Sequence, residues 1–324
     1  MVFAIVISMT ASVLLFGSGF FNLFTPLPFS SLFVRRGLLP VFVAILLAMT
    51  FLSLFYFLSK GSWFFLPGMV LYPYLGLSQV GSLAVLSFFY YAWIGFALVW
   101  VGRKKLSWEK GIGQIILSTI VVTVVSFFVL SHFVSLFDKM KGSLDFILQR
   151  FFELNPQMTP EEKAFLTGPF LETLWRLLPA IWINMTLVVV ASNLLLIRRW
   201  VSNLLFSSWG EFPAWRLDEK WIWAPISLGI FYLGSQFLEI LSPFSWILLN
   251  LLLVTAAAYF FQGLSIFIFF LRKWLSPLLR MAVLFLMIAF FQPLGLFLIF
   301  VGLFDFWFDF RKLKRVGGPH ASHS

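Results

Sequence analysis

The sequence predicts an all-α protein, a polytopic bundle of transmembrane helices. Three observations carry this reading. Of 324 residues, 61% are hydrophobic and only 11% charged, where a soluble domain carries roughly 25% charged residues. So few charges cannot wet a surface, but a lipid-facing surface needs almost none. The chain is also rich in aromatics, with 44 Phe and 14 Trp, which suits a hydrocarbon surface bordered by amphipathic rings at headgroup level. Finally, apolar stretches of about 20 residues, the length that crosses a bilayer core, recur along the chain.

Taken in order, the predicted spans are Val2–Phe24, Leu38–Leu58, Val80–Val101, Ile112–Phe137, Phe170–Ile197, Trp221–Leu241, Trp246–Leu271 and a last apolar stretch, Pro277–Phe308. That makes about eight. The Thr25–Pro28 turn ends the first span. With no basic n-region and no small-residue cleavage site, the first span reads as a crossing rather than a cleaved signal. Trp63–Leu77 is interrupted by Pro67, Gly68 and Pro73, so it reads as a re-entrant or interfacial segment. The last stretch carries Gln292-Pro293 near its middle. It is either a hairpin of two arms, each about 18–22 Å long, or one kinked helix.

Charge sets the orientation. The net charge is +10, which in a soluble protein would point to nucleic acid. Here most Lys and Arg fall in alternate loops: Arg35-Arg36, Arg103–Lys110, Arg198–Lys220, Arg272–Arg280 and Arg311–Arg315. These loops are expected in the cytoplasm and the N-terminus outside, with the lipid bilayer as partner and no nucleic acid. The domain expected is a single one over residues 1–310, followed by a basic, disordered tail over 311–324.

The largest external segment, 138–168, places Met140, Leu144, Ile147, Leu148, Phe151 and Phe152 at helical spacing, as in an amphipathic helix lying on the membrane surface. Thr159-Pro160-Glu161-Glu162 then opens a second helix: Thr caps, Pro takes the first turn, and the acids face the positive helix end. Gly168-Pro169 is expected to break that helix before the fifth span.

Several chemistries are excluded or unsupported. Cysteine is absent, which removes disulfides, thiolate metal sites and cysteine nucleophiles. The three His are His132, His320 and His323, and none pairs at ligand spacing, so no metal or other cofactor is expected. There is no phosphate-binding glycine loop, nucleophile elbow or zinc-protease motif. The balance leans away from an enzyme.

Ionisable groups inside spans remain the best pointers, because lipid makes them costly. Glu172 and Arg176 share a helix face in the fifth span, and Gln236 and Glu239 sit three apart in the sixth. The orientation puts all four near the outer ends of their helices. They are candidate ligand-binding residues for an externally open pocket, or an interhelical ion pair with snorkelling neighbours. Asn184, Asn193, Asn250, Gln262 and Gln292 read as hydrogen-bonding glue between helices. Asp305 and Asp309 share a face near Arg311. They form an internal salt bridge, with Arg272, Arg280 or Arg311 as the base, or a docking surface for a cytoplasmic partner.

Four stretches resemble one family in their order. They are Pro26-Leu27-Pro28; Leu178-Pro179-Ala180 through Asn193 to Arg198-Arg199; Tyr259-Phe260-Phe261-Gln262-Gly263-Leu264; and Gly302-Leu303-Phe304-Asp305 through Asp309-Phe310-Arg311. The chain thereby resembles the YybS-like family of predicted bacterial membrane proteins, and departs from its pattern at Asp218-Glu219-Lys220, where that family continues with Pro. The resemblance implies a location in the bacterial inner membrane. It also implies fold-level likeness to substrate-binding subunits of energy-coupling-factor vitamin transporters and to a rod-shape membrane protein. Those binding subunits dock a coupling subunit through small residues on the first helix. Ala4, Ser8 and Ser12 are the corresponding stripe here. The function expected is a substrate-binding or permease subunit for small-solute uptake, working with a coupling subunit. The alternative is a non-transporting scaffold of the cell envelope or division machinery.

Overall fold

The computed structural model describes residues 1–19, 21–58, 81–104, 106, 108–133, 136–200 and 211–312. Among these residues the regular structure is entirely helical. In chain order the helices are α1 (Val2–Gly17), α2 (Pro26–Arg36), α3 (Leu38–Leu58), α4 (Gly81–Gly102), α5 (Trp108–Phe133), α6 (Leu136–Leu154), α7 (Pro160–Phe165), α8 (Leu171–Trp200), α9 (Trp223–Phe237), α10 (Ser245–Trp274), α11 (Pro277–Ala289) and α12 (Phe291–Phe308). The Trp63–Leu77 segment, His132's side chain, Gln292's side chain and the tail beyond Lys312 lie outside what is described.

Among the described residues, five stretches are long and apolar enough to cross a membrane: Leu38–Phe55, Val85–Gly102, Glu109–Val129, Pro160–Trp200 and Ser242–Trp274. Val2–Gly17, Pro277–Met287 and Pro293–Phe308 are apolar but shorter. The expected first span is cut short because Asn22–Phe24 forms a separate 3-10 turn before α2. α2 then folds back along α1, with Ser12 bonded to Thr25 O and Ile7 and Arg35 lining one cavity. The start of α1 and Arg35 therefore lie at the same end, where the charge count placed them on opposite sides. The expected sixth span shrinks to the 15 residues of α9: a 3-10 turn, Glu219–Ile222, takes up its start, and Leu238 turns extended (φ −109°, ψ 113°), ending the helix at Phe237 instead of Leu241. The last apolar stretch breaks at Phe290, whose backbone leaves the helical region (φ −107°, ψ 33°), giving α11 and α12.

The helix ends follow local chemistry. Pro26 occupies the first position of α2, where its missing N–H costs nothing. Gly37 ends α2 at φ +87°, a backbone that glycine adopts without penalty. Thr159 caps α7 through a full capping box: its Oγ1 accepts from Glu162 N, and its N–H donates to Glu162 Oε2 at 2.8 Å. The expected break at Gly168-Pro169 does not occur. The chain passes through a π turn, Leu166–Phe170, and continues into α8. The wider turn accommodates the ring and missing N–H of Pro169, which a regular α turn would not.

The chain divides into two compact units. The first comprises Met1–Trp175 and Met185–Trp209; the second comprises Arg176–Asn184 and Gly210–Ser324. The first unit has an aromatic core. Phe88 of α4 meets Phe16 of α1 at 5.4 Å and Phe29 of α2 at 5.9 Å, both edge-on. Ala44 and Ala48 of α3 and Ala92 of α4 are fully buried beside them. α2 and α4 touch backbone to backbone: a Cβ at Gly95 would lie 2.6 Å from the Pro26 oxygen. The buried Ser30 hydroxyl bonds Gly95 O at 2.9 Å across the same contact. In the second unit α10 and α12 cross through glycines. A Cβ at Gly263 would overlap the Leu298 carbonyl, and one at Gly302 would overlap that of Tyr259.

Candidate functional site

The second unit contains two polar constructions inside an otherwise apolar bundle. The first is a seam between the 176–184 segment of α8 and α10. Pro179 lies inside α8, where its ring disturbs the hydrogen-bond ladder. Asn250 of α10 inserts its carboxamide there. Its Oδ1 accepts from Ala180 N at 2.9 Å, and its Nδ2 donates to Arg176 O at 2.8 Å. Ala180 and Arg176 are the pair that an unbroken ladder joins directly. One side chain thus bridges the donor and acceptor that proline separates, as a spanning helix requires. One turn on, Asn184 Nδ2 donates to Leu253 O at 3.4 Å. The Asn184 Oδ1 is buried and has no hydrogen-bond partner among the described residues. The guanidinium of Arg176 lies 4.6 Å over the Trp246 ring.

The second construction is a buried ionic cluster at the end of α12. Asp309 caps this helix in the left-handed conformation (φ 40°), so the chain turns back and Arg311 reaches Asp305. Arg311 Nη2 donates to Asp305 Oδ2 at 2.9 Å, and both side chains are fully buried. Arg311 Nη1 sits 2.8 Å from three acceptors: Pro213 O, Trp215 O and Ser265 Oγ. Asp305 Oδ1 accepts from Phe310 N at 3.0 Å. Arg216 covers the end of α12, donating to Asp305 O at 3.1 Å and facing Asp309 Oδ1 at 3.7 Å. Gln262 joins both partners: its Oε1 accepts from Leu217 N at 3.2 Å, and its Nε2 lies 3.4 Å from Asp305 Oδ2. Two arginines and two aspartates balance, so no net charge is buried. Burial pulls the Arg311 guanidinium below its ordinary pKa, and the Asp305 carboxylate opposes that pull. Arg311 Nε is buried without a hydrogen-bond partner among the described residues, but the bonds of Nη1 and Nη2 make the cluster a latch that holds the 211–217 loop to α10 and α12.

The other expected residues fall as follows. Glu172 opens the first turn of α8, in the first unit, and is exposed. Gln236 is in the last turn of α9, exposed, with its Nε2 3.2 Å from Ser235 Oγ. Glu239 lies in the turn after α9 and is exposed. Asp305 and Arg311 are buried, and Asp309 is half-buried. On α1, Ser12 is fully buried and donates to Thr25 O at 3.2 Å, Ser8 is buried, and Ala4 is half-buried. This stripe faces the interior of the first unit. Asn193 acts there as interhelical glue, donating to Leu23 O at 2.6 Å.

Sequence reasoning missed Arg216 and the pairing of Asn250 with Pro179. For Asn250 the signal existed: a proline inside a span frees backbone groups that a neighbouring helix must satisfy. Among the described residues no three His, Asp or Glu side chains gather as a metal site.

Every stretch that gave the sequence its family resemblance falls at one of these contacts: Pro26 against Gly95, Ala180 against Asn250, Gln262-Gly263 against Asp305 and Gly302. Residues 69–306 match the family described as "Predicted membrane protein (DUF2232)". The chain belongs to this family of predicted membrane proteins. No curated protein and no solved structure matches it. A chain of this family with several spanning helices sits in a lipid bilayer.

Proposed function

We propose that the chain is the solute-binding subunit of an uptake system in the bacterial inner membrane, with its site in the seam between α8 and α10. The carrying observation is Asn184, whose buried Oδ1 has no partner among the described residues, one turn from the Pro179 break. An unfilled acceptor at membrane depth costs free energy unless something binds it. Proline-interrupted helices are also where transporters hold their substrates; here Asn250 fills the two backbone groups beside the break, which leaves Asn184 Oδ1 as the acceptor for a solute. Asn184 would accept from the solute, and Arg176 would attract an anionic group on it. Gln236 and Glu239, in the same unit, would contribute to the polar rim. The resemblance to YybS-like proteins, and through them to energy-coupling-factor binding subunits, supports the same reading at fold level. On this reading the five longer apolar stretches, together with α1, α9 and the last apolar stretch made of α11 and α12, are the eight expected membrane elements.

The test is ligand-dependent thermal stabilisation of the purified protein against vitamins, nucleosides and amino acids. A true ligand at hundredfold excess over its Kd adds about 2.7 kcal/mol, and Asn184→Ala removes that gain while the protein stays folded. A flat screen, or a hit indifferent to Asn184→Ala and Arg176→Ala, ends this reading. The scaffold reading is favoured by the latch, whose charges are paired internally and which fixes the 211–217 loop as a rigid surface. It predicts that envelope proteins crosslink to this loop in intact membranes, and that loosening the latch abolishes the crosslink.

A further inference from the structure

The first unit holds a cavity of about 300 Å³ between α1, α2 and the last residue of α8. Ile7 and Pro28 give it apolar walls, Ser8 and Ser31 bring hydroxyl groups, Arg35 a guanidinium and Trp200 an indole. We propose that this cavity binds an anionic phospholipid, with the phosphate on Arg35 and the start of an acyl chain along Ile7 and Pro28.

The chemistry of the lining matches the two ends of a lipid. Arg35 is exposed in the last turn of α2 and has no carboxylate partner among the described residues. A guanidinium presents a planar fork that binds phosphate oxygens in pairs. Ser8 and Ser31 add donors for the remaining oxygens. Trp200 is 63% exposed at the end of its helix, as an indole at headgroup depth is. Further cations stand at the same end of the unit. Arg103 donates to Phe33 O at 3.4 Å and stacks 4.4 Å over the Phe33 ring, two residues from Arg35. Such an end attracts the anionic leaflet. A free soluble anion would satisfy Arg35 but leave the apolar walls wet. A zwitterionic lipid would bring its own cation against Arg35.

The experiment uses the full chain, delipidated in detergent. Thermal stability and native mass spectrometry are read with phosphatidylglycerol, with phosphatidylcholine of the same acyl chains, and with inorganic phosphate. Phosphatidylglycerol raises the Tm and stays bound; the other two do not. Arg35→Gln weakens phosphatidylglycerol binding about tenfold, the loss of one charge-assisted contact. Arg36→Gln, one residue on and outside the cavity, changes it little. Ser31→Phe fills the cavity without altering charge and abolishes the preference. Equal binding of phosphatidylcholine, stabilisation by inorganic phosphate alone, or equal losses in Arg35→Gln and Arg36→Gln would overturn the proposal. Should Arg35→Gln fail to fold, Ser31→Phe decides: a preference that survives in it overturns the site.

Discussion

A guanidinium taken out of water must find both a counter-charge and acceptors in the fold. Arg311 finds Asp305 at 2.9 Å, two loop carbonyls and the Ser265 hydroxyl. The cost of breaking this arrangement therefore depends on what is left behind. Arg311→Met alone strands the buried Asp305 carboxylate and the carbonyls of Pro213 and Trp215, and should cost about 3–5 kcal/mol. Asp305→Leu combined with Arg311→Met removes both charges and leaves the Arg216–Asp309 pair intact. The double variant should be more stable than Arg311→Met by about 1–3 kcal/mol in thermal unfolding of the detergent-solubilised protein. A double variant as unstable as the single would mean that the carbonyl contacts, not the ion pair, hold the loop.

At the scale of elements, proline and asparagine form one device across two helices. Asn250 replaces a ladder bond that Pro179 disturbs. Asn250→Ala should cost about 1–3 kcal/mol, because a donor and an acceptor lose their partner at membrane depth. In the background of Pro179→Ala the ladder can close by itself, and the same substitution should cost much less. A double-mutant cycle on unfolding free energy reads this as a coupling of about 1 kcal/mol or more; additive losses would show that Asn250 acts elsewhere. The same distinction explains what the sequence disclosed. Spans such as α3, α4 and α5 were legible because an apolar run of spanning length has few other fates. The α7 cap was legible because its partners are three residues apart. The sequence also pointed to an internal salt bridge at Asp305 and Asp309 with Arg272, Arg280 or Arg311 as the base, and the fold gives Arg311 to Asp305. It did not disclose Arg216, which meets Asp305 across 89 residues, because helical spacing finds neighbours on one helix only. Nor did it disclose the π turn at Pro169, since Gly-Pro reads as a breaker unless the turn widens around it.

At the scale of the whole chain, charge distribution and loop contacts make one claim about topology. The positive-inside rule puts the ends of α10 and α12 on the same side, although one full crossing between them would separate them. The second unit supports the same arrangement: Arg272 reaches Glu211 at 3.1 Å, and Arg311 reaches Pro213 and Trp215 at 2.8 Å, so one short loop binds both helix ends. The Arg272 pair is exposed and contributes little energy; its value here is positional. The break at Phe290 supplies the turn that such a return needs. Because the chain has no cysteine, side-selective labelling needs only one introduced thiol per variant. Lys273→Cys and Lys312→Cys, both at exposed positions, should react with a membrane-impermeant maleimide from the cytoplasmic face only, whereas Gln157→Cys, in the exposed turn before α7, should react from the outer face only. Opposite labelling of positions 273 and 312 would mean that α11 and α12 together make one crossing, and the 211–217 loop, bound to both Arg272 and Arg311, would then have to hold a guanidinium within the bilayer, where it is least tolerated.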